Sequence, residues 1–271
     1  MIRQNLHTHS VWDDGTNTLE EMAQAGISAG LTSLGFSIHT PMPFLSYWTL
    51  EEGRLPEYSA AVRKWKDAFA GRIALYHGAE WDLLSEMPLD GFDYVIGSIH
   101  HIQALGRGSC VDNSPEMTAQ YLRDLFGGDS DAAAEAYFSQ YEALAGMEKV
   151  DIVGHFDLPT KFDETNHFYS PDSPRFCAAA FRAMDALVSA DKIFEINTGA
   201  ISRGYRTTPY PSRSLLKELK RRGGRITVSA DAHAASDVAF GFAEAEALAI
   251  DCGFAEIWQF DGRSFVSVPI G

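Results

Sequence analysis

The sequence predicts an α/β fold, a barrel of seven parallel strands followed by a C-terminal β-hairpin. Three observations support it. Short β-type runs alternate with amphipathic helical patterns, no repeat or Pro/Ser-rich linker divides the chain, and nearly every strand ends on His, Glu or Asp. The 271 residues suffice for one barrel with a full core, so residues 1–271 read as a single domain.

The expected strands are Ile2–Leu6, Ser33–Ile38, Ile73–Gly78, Asp93–Ser98, Asp151–Gly154, Ile193–Ile196 and Ile226–Ser229. Seven such runs separated by helices favour closure over an open sheet. In Thr18–Gly30, Thr18 and Glu21 fit a capping box and Gly30 a C-terminal stop. Pro174–Ala190, Ser212–Arg222 and Ser236–Gly253 are further amphipathic stretches. In the tail, Asp261-Gly262 marks the turn between Glu256–Phe260 and Arg263–Val268, a hairpin expected on the barrel end. Thr40–Pro56, following His39, reads equally as a substrate-selecting lid or a packed barrel-end loop, and Gly106–Ser114 as a mobile, Gly-rich loop.

With 22 Lys and Arg against 37 Asp and Glu, the net charge is −15, which argues against nucleic-acid polymers or anionic membranes as partners. The 17 Phe, 10 Tyr and 5 Trp exclude disorder. The first residues carry no apolar signal-peptide run, no stretch is long and apolar enough to span a bilayer, and Cys110, Cys177 and Cys252 form no CxxC pair. A cytoplasmic location is therefore expected; oligomeric state, monomer or dimer, is left open.

His7 and His9 close the first strand, His39 the second, Glu80 the third, His100 the fourth, His155 the fifth, and Asp231 with His233 the seventh. In a βα-barrel these C-terminal strand ends converge on one mouth. Residues i and i+2 of an extended chain point the same way, so His7/His9 and Asp231/His233 each offer two ligands to one centre. Imidazole and carboxylate without thiolate suit Zn, Mn or Fe, and the donors exceed the roughly four to six positions of one ion. Two to three divalent metal ions are therefore expected, with Glu80 as bridge. His77, inside a strand and opposite in parity to Glu80, belongs on the outer face; His101 should point away from His100; His167 lies outside the pattern.

His7-Thr8-His9-Ser10, Gly35-Phe36-Ser37-Ile38-His39, Gly97-Ser98-Ile99-His100, Gly154-His155-Phe156-Asp157 and Ser229-Ala230-Asp231-Ala232-His233 stand in the order of the motifs of the polymerase-and-histidinol-phosphatase (PHP) family, which the chain resembles over about residues 5–250. The stretch from Glu195 to Arg206 resembles its histidinol-phosphatase-type branch in particular.

The resemblance implies a distorted (β/α)7 barrel holding three metals. His7, His9, Glu80 and Asp231 would hold one, Glu80, His100 and His155 a second, and His39, His233 and Asp14 a third. Many relatives have His in the loop after the first strand, where this chain has Trp12-Asp13-Asp14-Gly15, so Asp13 is an alternative to Asp14. Glu80, Asp231 and His233 would serve catalysis as well as metal binding. The implied activity is hydrolysis of a small phosphorylated metabolite by metal-activated hydroxide, metal binding lowering the pKa of water from ~15.7 toward roughly 7; L-histidinol phosphate, an intermediate of histidine biosynthesis, is the leading substrate. A phosphodiesterase or nucleotide phosphoesterase, an amidohydrolase and a non-catalytic metal-binding barrel are the alternatives. Arg203, Lys161 and Arg206 are the expected phosphate-binding residues, Arg203 first, because guanidinium suits bidentate recognition. Divalent cations would outweigh the few site carboxylates and leave a positive mouth on a negative protein.

Overall fold

The computed structural model describes residues 2–44 and 46–271. Seven strands run parallel around the barrel: β1 (Gln4–Asn5), β2 (Ser33–His39), β3 (Ala74–Asp82), β4 (Tyr94–Ser98), β7 (Ile152–Val153), β8 (Ile193–Asn197) and β9 (Arg225–Ser229), paired in that order. Beyond β1 and β9, Thr8 and Ala232 form a parallel bridge, with His9 N donating to Ala232 O, and this closes the ring. All seven expected strands are present. β3 is longer than expected and carries Glu80 inside the strand, opposite His39 of β2.

The helices connecting the strands are α1 (Leu19–Ser28), α2 (Leu55–Ala68), α3 (Pro115–Phe126), α4 (Ser130–Ser139), α5 (Tyr141–Ala145), α6 (Asp163–Asn166), α7 (Pro174–Ser189), α8 (Gly199–Ser202), α9 (Arg213–Arg221) and α10 (Phe242–Asp251). The Thr18–Glu21 capping box at the start of α1 is formed. Pro115 and Pro174 stand in the first turns of α3 and α7, where a missing N–H costs nothing. The stretch expected as one helix from Ser236 splits into a 3₁₀ turn, Ala235–Asp237, and α10, because Gly241 takes a left-handed φ of 68° between them.

Inside the barrel the lower layer is Leu6, Tyr76, Tyr94, Ile96, Ile152 and Ile193. Tyr94 donates to Leu6 O across the lumen, and Gly35 and Gly78 make room for its ring: a Cβ on either would overlap it. The C-terminal hairpin of β10 (Glu256–Phe260) and β11 (Phe265–Pro269) closes this end, with Phe260 in the same apolar cluster. Gln4 fixes it by exchanging side-chain hydrogen bonds with both the N–H and the C=O of Phe260. The connection spans four residues, Asp261 accepting from the N–H groups of Arg263 and Ser264, rather than a two-residue Asp-Gly turn.

The segment expected to be a mobile loop is instead half of an antiparallel hairpin, β5 (His101–Ala104) with β6 (Arg107–Cys110). Its exit carries Cys110, Asp112 and Asn113 to the mouth of the barrel. In the 40–56 segment Trp48 packs edge-on against His39 and Leu50 is buried, whereas Tyr47 is exposed. No helix among the described residues is long and apolar enough to cross a membrane.

Candidate metal centre

Glu80 lies at the centre of the site. Its Oε2 is 3.0 Å from His7 Nε2, 3.4 Å from His9 Nε2 and 2.9 Å from His39 Nδ1. Its Oε1 is 2.9 Å from His155 Nε2 and 3.4 Å from His100 Nε2, and accepts from Ser98 Oγ at 2.7 Å. One carboxylate thus shows its two oxygens to two different sets of imidazoles, the geometry a bridging ligand requires. Asp231 Oδ1 approaches His7, His9 and His233 at 3.6, 3.3 and 3.6 Å. Asp14 Oδ1 faces His233 Nε2 at 3.2 Å and His39 Nε2 at 3.7 Å. Three groups are close enough to hold ions: His9/Asp14/His39/His233, His7/His9/Glu80 and His39/Glu80/His100. All nine residues expected as ligands are therefore brought together at the C-terminal mouth.

A second ring of carboxylates orients the imidazoles. His7 Nδ1 meets Glu195 Oε2 at 2.9 Å, His9 Nδ1 meets Asp13 Oδ2 at 2.8 Å and His100 Nδ1 meets Asp82 Oδ2 at 3.1 Å. With a cation bound at Nε2, each carboxylate would accept the Nδ1 proton and leave an Nε2 lone pair aimed inward. A lone pair facing the Glu80 or Asp231 carboxylate is repelled unless positive charge lies between them. His9 Nε2 and His39 Nδ1 are buried without a hydrogen-bond partner and both face Glu80. The donor set therefore fits divalent cations, which would satisfy several such pairs at once. Asp13 is turned to His9 and to the N–H of Ser10 and His39, away from the cavity; Asp14 is the member of the pair that faces it.

The electrostatics follow from the same crowding. Burial disfavours a charged His9, but Asp13, Asp231 and Asp14 outweigh it and raise its pKa to about 10. His7 is raised despite complete burial by Glu195, Glu80 and Asp231, and His100 despite burial by Glu80 and Asp82. Burial opposes ionisation of Glu80, yet His39, His7 and His100 hold its pKa well below the usual range. His233 goes the other way: burial and neighbouring His9 lower it, which keeps it neutral.

The expected phosphate ligands separate. Arg203 lines the cavity and donates to Asp231 O at 2.7 Å and Asp231 Oδ2 at 3.1 Å. It supports Asp231, whose φ of 47° is left-handed for a residue with a Cβ, a strained conformation of the kind found at active sites. Lys161 also lines the cavity, but its Nζ is held by Asp112 O at 2.9 Å and Oδ2 at 3.1 Å. Arg206 does not line it: its guanidinium donates to Thr160 Oγ1 and Thr208 O and covers the Tyr210 ring, because the turn after α8 directs it into the wall. His77 lies on the outer face against Phe92 and Gly91 O, and His101 packs on Trp48, outside the ligand groups.

Sequence reasoning missed Glu195, Asp82 and Asp112. A glutamate in the apolar run Ile193–Asn197, and an aspartate two residues beyond Glu80 on the same face, were the signals available.

A parallel barrel with clustered imidazoles and carboxylates at its C-terminal mouth defines the class, a barrel protein whose donor clusters fit divalent metal ions. Residues 5–199 match the PHP domain, and the chain belongs to that family. A probable histidinol-phosphatase of Deinococcus radiodurans is 34% identical, the match covering 89% of each chain. The histidinol-phosphatase of Bacillus subtilis is 22% identical over 88% of this chain and 95% of its own length. The histidinol phosphate phosphatase of Lactococcus lactis, solved with zinc, L-histidinol and phosphate, superposes with a TM-score of 0.76 at 23% identity, covering 97% of this chain and 98% of that one.

Proposed function

We propose that this chain is a metal-dependent phosphatase that converts L-histidinol phosphate to L-histidinol and inorganic phosphate. The observation that carries the chemistry is Glu80, a buried carboxylate whose two oxygens face separate imidazole sets. The likeness to histidinol-phosphatases over most of the chain carries the substrate.

His7, His9, Glu80 and Asp231 would hold one cation, Glu80, His100 and His155 a second, and Asp14, His39 and His233 a third. When bound, such cations supply water deprotonated near neutral pH and offset the charge of a phosphate. The chain's own residues do the rest. Arg203, with two of its five donors spent on Asp231, offers the others to phosphate oxygens while fixing Asp231. Glu195, Asp13 and Asp82 keep three imidazoles in the tautomer that ligates. The cavity, about 290 Å³, is walled by Trp48, Leu158 and Tyr205, a size for a metabolite rather than a polymer.

The test is phosphate release from L-histidinol phosphate by protein reconstituted with Zn, Mn or Fe. Release that a chelator abolishes supports the reading. Absence of release with every metal removes the substrate, and failure on a broad phosphomonoester panel removes the class. Equal rates on a bis-aryl phosphodiester would favour a diesterase.

A further inference from the structure

We propose that Asp112, anchored by Lys161, binds the ammonium group of the substrate and makes the cavity select phosphomonoesters that carry one. The inference rests on the reading above, in which the substrate joins a phosphate to a primary amine.

Four carboxylates line the cavity: Asp14, Glu80, Asp231 and Asp112. The first three face the imidazoles of the metal centre. Among the described lining residues Asp112 alone stands outside that set, so it is the carboxylate left for a cationic group on the substrate. The β5–β6 hairpin delivers it to the mouth, and its side chain is 21% exposed.

The contacts of Asp112 are unequal. Lys161 Nζ takes the backbone oxygen and Oδ2, at 2.9 and 3.1 Å, and lies 4.7 Å from the centre of the Tyr205 ring. Oδ1 receives only the Cys110 thiol, at 3.2 Å, a weak donor. One oxygen is thus fixed while the other keeps capacity for a strong N–H donor. The ion pair also explains the position of Lys161, which holds Asp112 with two of its three donors at the cavity wall. An ammonium gains a charge-assisted hydrogen bond at Oδ1, and an ester without one leaves that oxygen with the weak thiol donor alone.

The test compares kcat/KM for L-histidinol phosphate with that for 3-(imidazol-4-yl)propyl phosphate, which lacks only the amine and the stereocentre it creates. Wild type should prefer the amine. Asp112→Asn should lower that preference about tenfold or more, chiefly through KM for the amine-bearing ester, with unchanged metal content; Asp112→Glu should restore part of it. A preference kept in Asp112→Asn, or absent in wild type, overturns the inference and leaves the phosphatase reading standing. A wild type inactive on both esters but active on other monoesters overturns the substrate reading and this inference with it. Should the variant not fold, product inhibition of wild type decides: L-histidinol must inhibit about tenfold or more strongly than imidazolylpropanol, and equal inhibition overturns the proposal.

Discussion

Replacing Glu195 by Gln changes one atom and should disable a ligand that Glu195 never shares with a cation. Glu195 Oε1 accepts from the backbone N–H of His155 and from Asn197 Nδ2, both at 2.7 Å, and Oε2 accepts from His7 Nδ1 at 2.9 Å and from Ser229 Oγ. A Gln must turn its NH₂ to one side or the other. The backbone N–H of His155 cannot become an acceptor, so the NH₂ goes to the His7 side. Ser229 can rotate its hydroxyl and accept. His7 can accept at Nδ1 only by moving its proton to Nε2, the atom that faces Glu80 and Asp231. The substitution therefore removes one imidazole from the centre without creating a cavity. Loss of an outer hydrogen-bond partner costs about 10–100-fold in metal affinity, and the forced tautomer change places this variant near the upper end, about 2.7 kcal/mol. Metal titration by calorimetry, with metal content after dialysis, measures it. Affinity within about threefold of wild type would refute the tautomer argument.

Other outcomes follow from the same contacts. Metal affinity should fall as pH falls, because His9, held at about pKa 10, and the raised His7 and His100 must each give up a proton to ligate; titrations in buffers of different ionisation enthalpy should show net proton release, and none would contradict this. With chelator present, the sign for stability is the reverse: His9 contributes below about pH 6.5 and loses that contribution as pH rises through about 10, so the midpoint of thermal unfolding should drop across that window. Arg206→Met should cost about 3 kcal/mol of stability, read by denaturant unfolding, through the buried bonds to Thr160 and Thr208. Its KM per folded molecule should stay within about threefold of wild type, since the guanidinium never reaches the cavity. Gly35→Ala should destabilise by about 1–3 kcal/mol, measured the same way, because its methyl overlaps the Tyr94 ring in the barrel lumen.

The candidate ligand positions were legible because strand periodicity and barrel topology together force strand-end residues to one mouth; the placement of His7, His9 and His155 there needed nothing more. Parity placed His77 outside; between the adjacent His100 and His101 it left both open, and the structure turns His100 to Glu80. What sequence could not supply were facts of side-chain reach and turn geometry. Arg203 and Arg206 lie three residues apart on one loop, and only the turn after α8 decides which guanidinium enters the cavity. Lys161 follows a strand end as a phosphate ligand would, yet the β5–β6 hairpin brings Asp112 against it. That hairpin reads as a loop because Gly106 and Gly108 mask its short pairing. Glu195 and Asp82 escape, and Asp13 reads as an alternative ligand, because an orienting carboxylate carries no spacing of its own, only the position of the histidine it serves.

Metal content and phosphate release, measured side by side on wild type and Glu80→Ala with L-histidinol phosphate as substrate, test the metal centre most directly. With Glu80 intact, the protein should retain its ions through dialysis and release phosphate; Glu80→Ala should lose tight binding of the two ions it bridges and its activity together. Full activity in Glu80→Ala would contradict the bridge and the centre built around it.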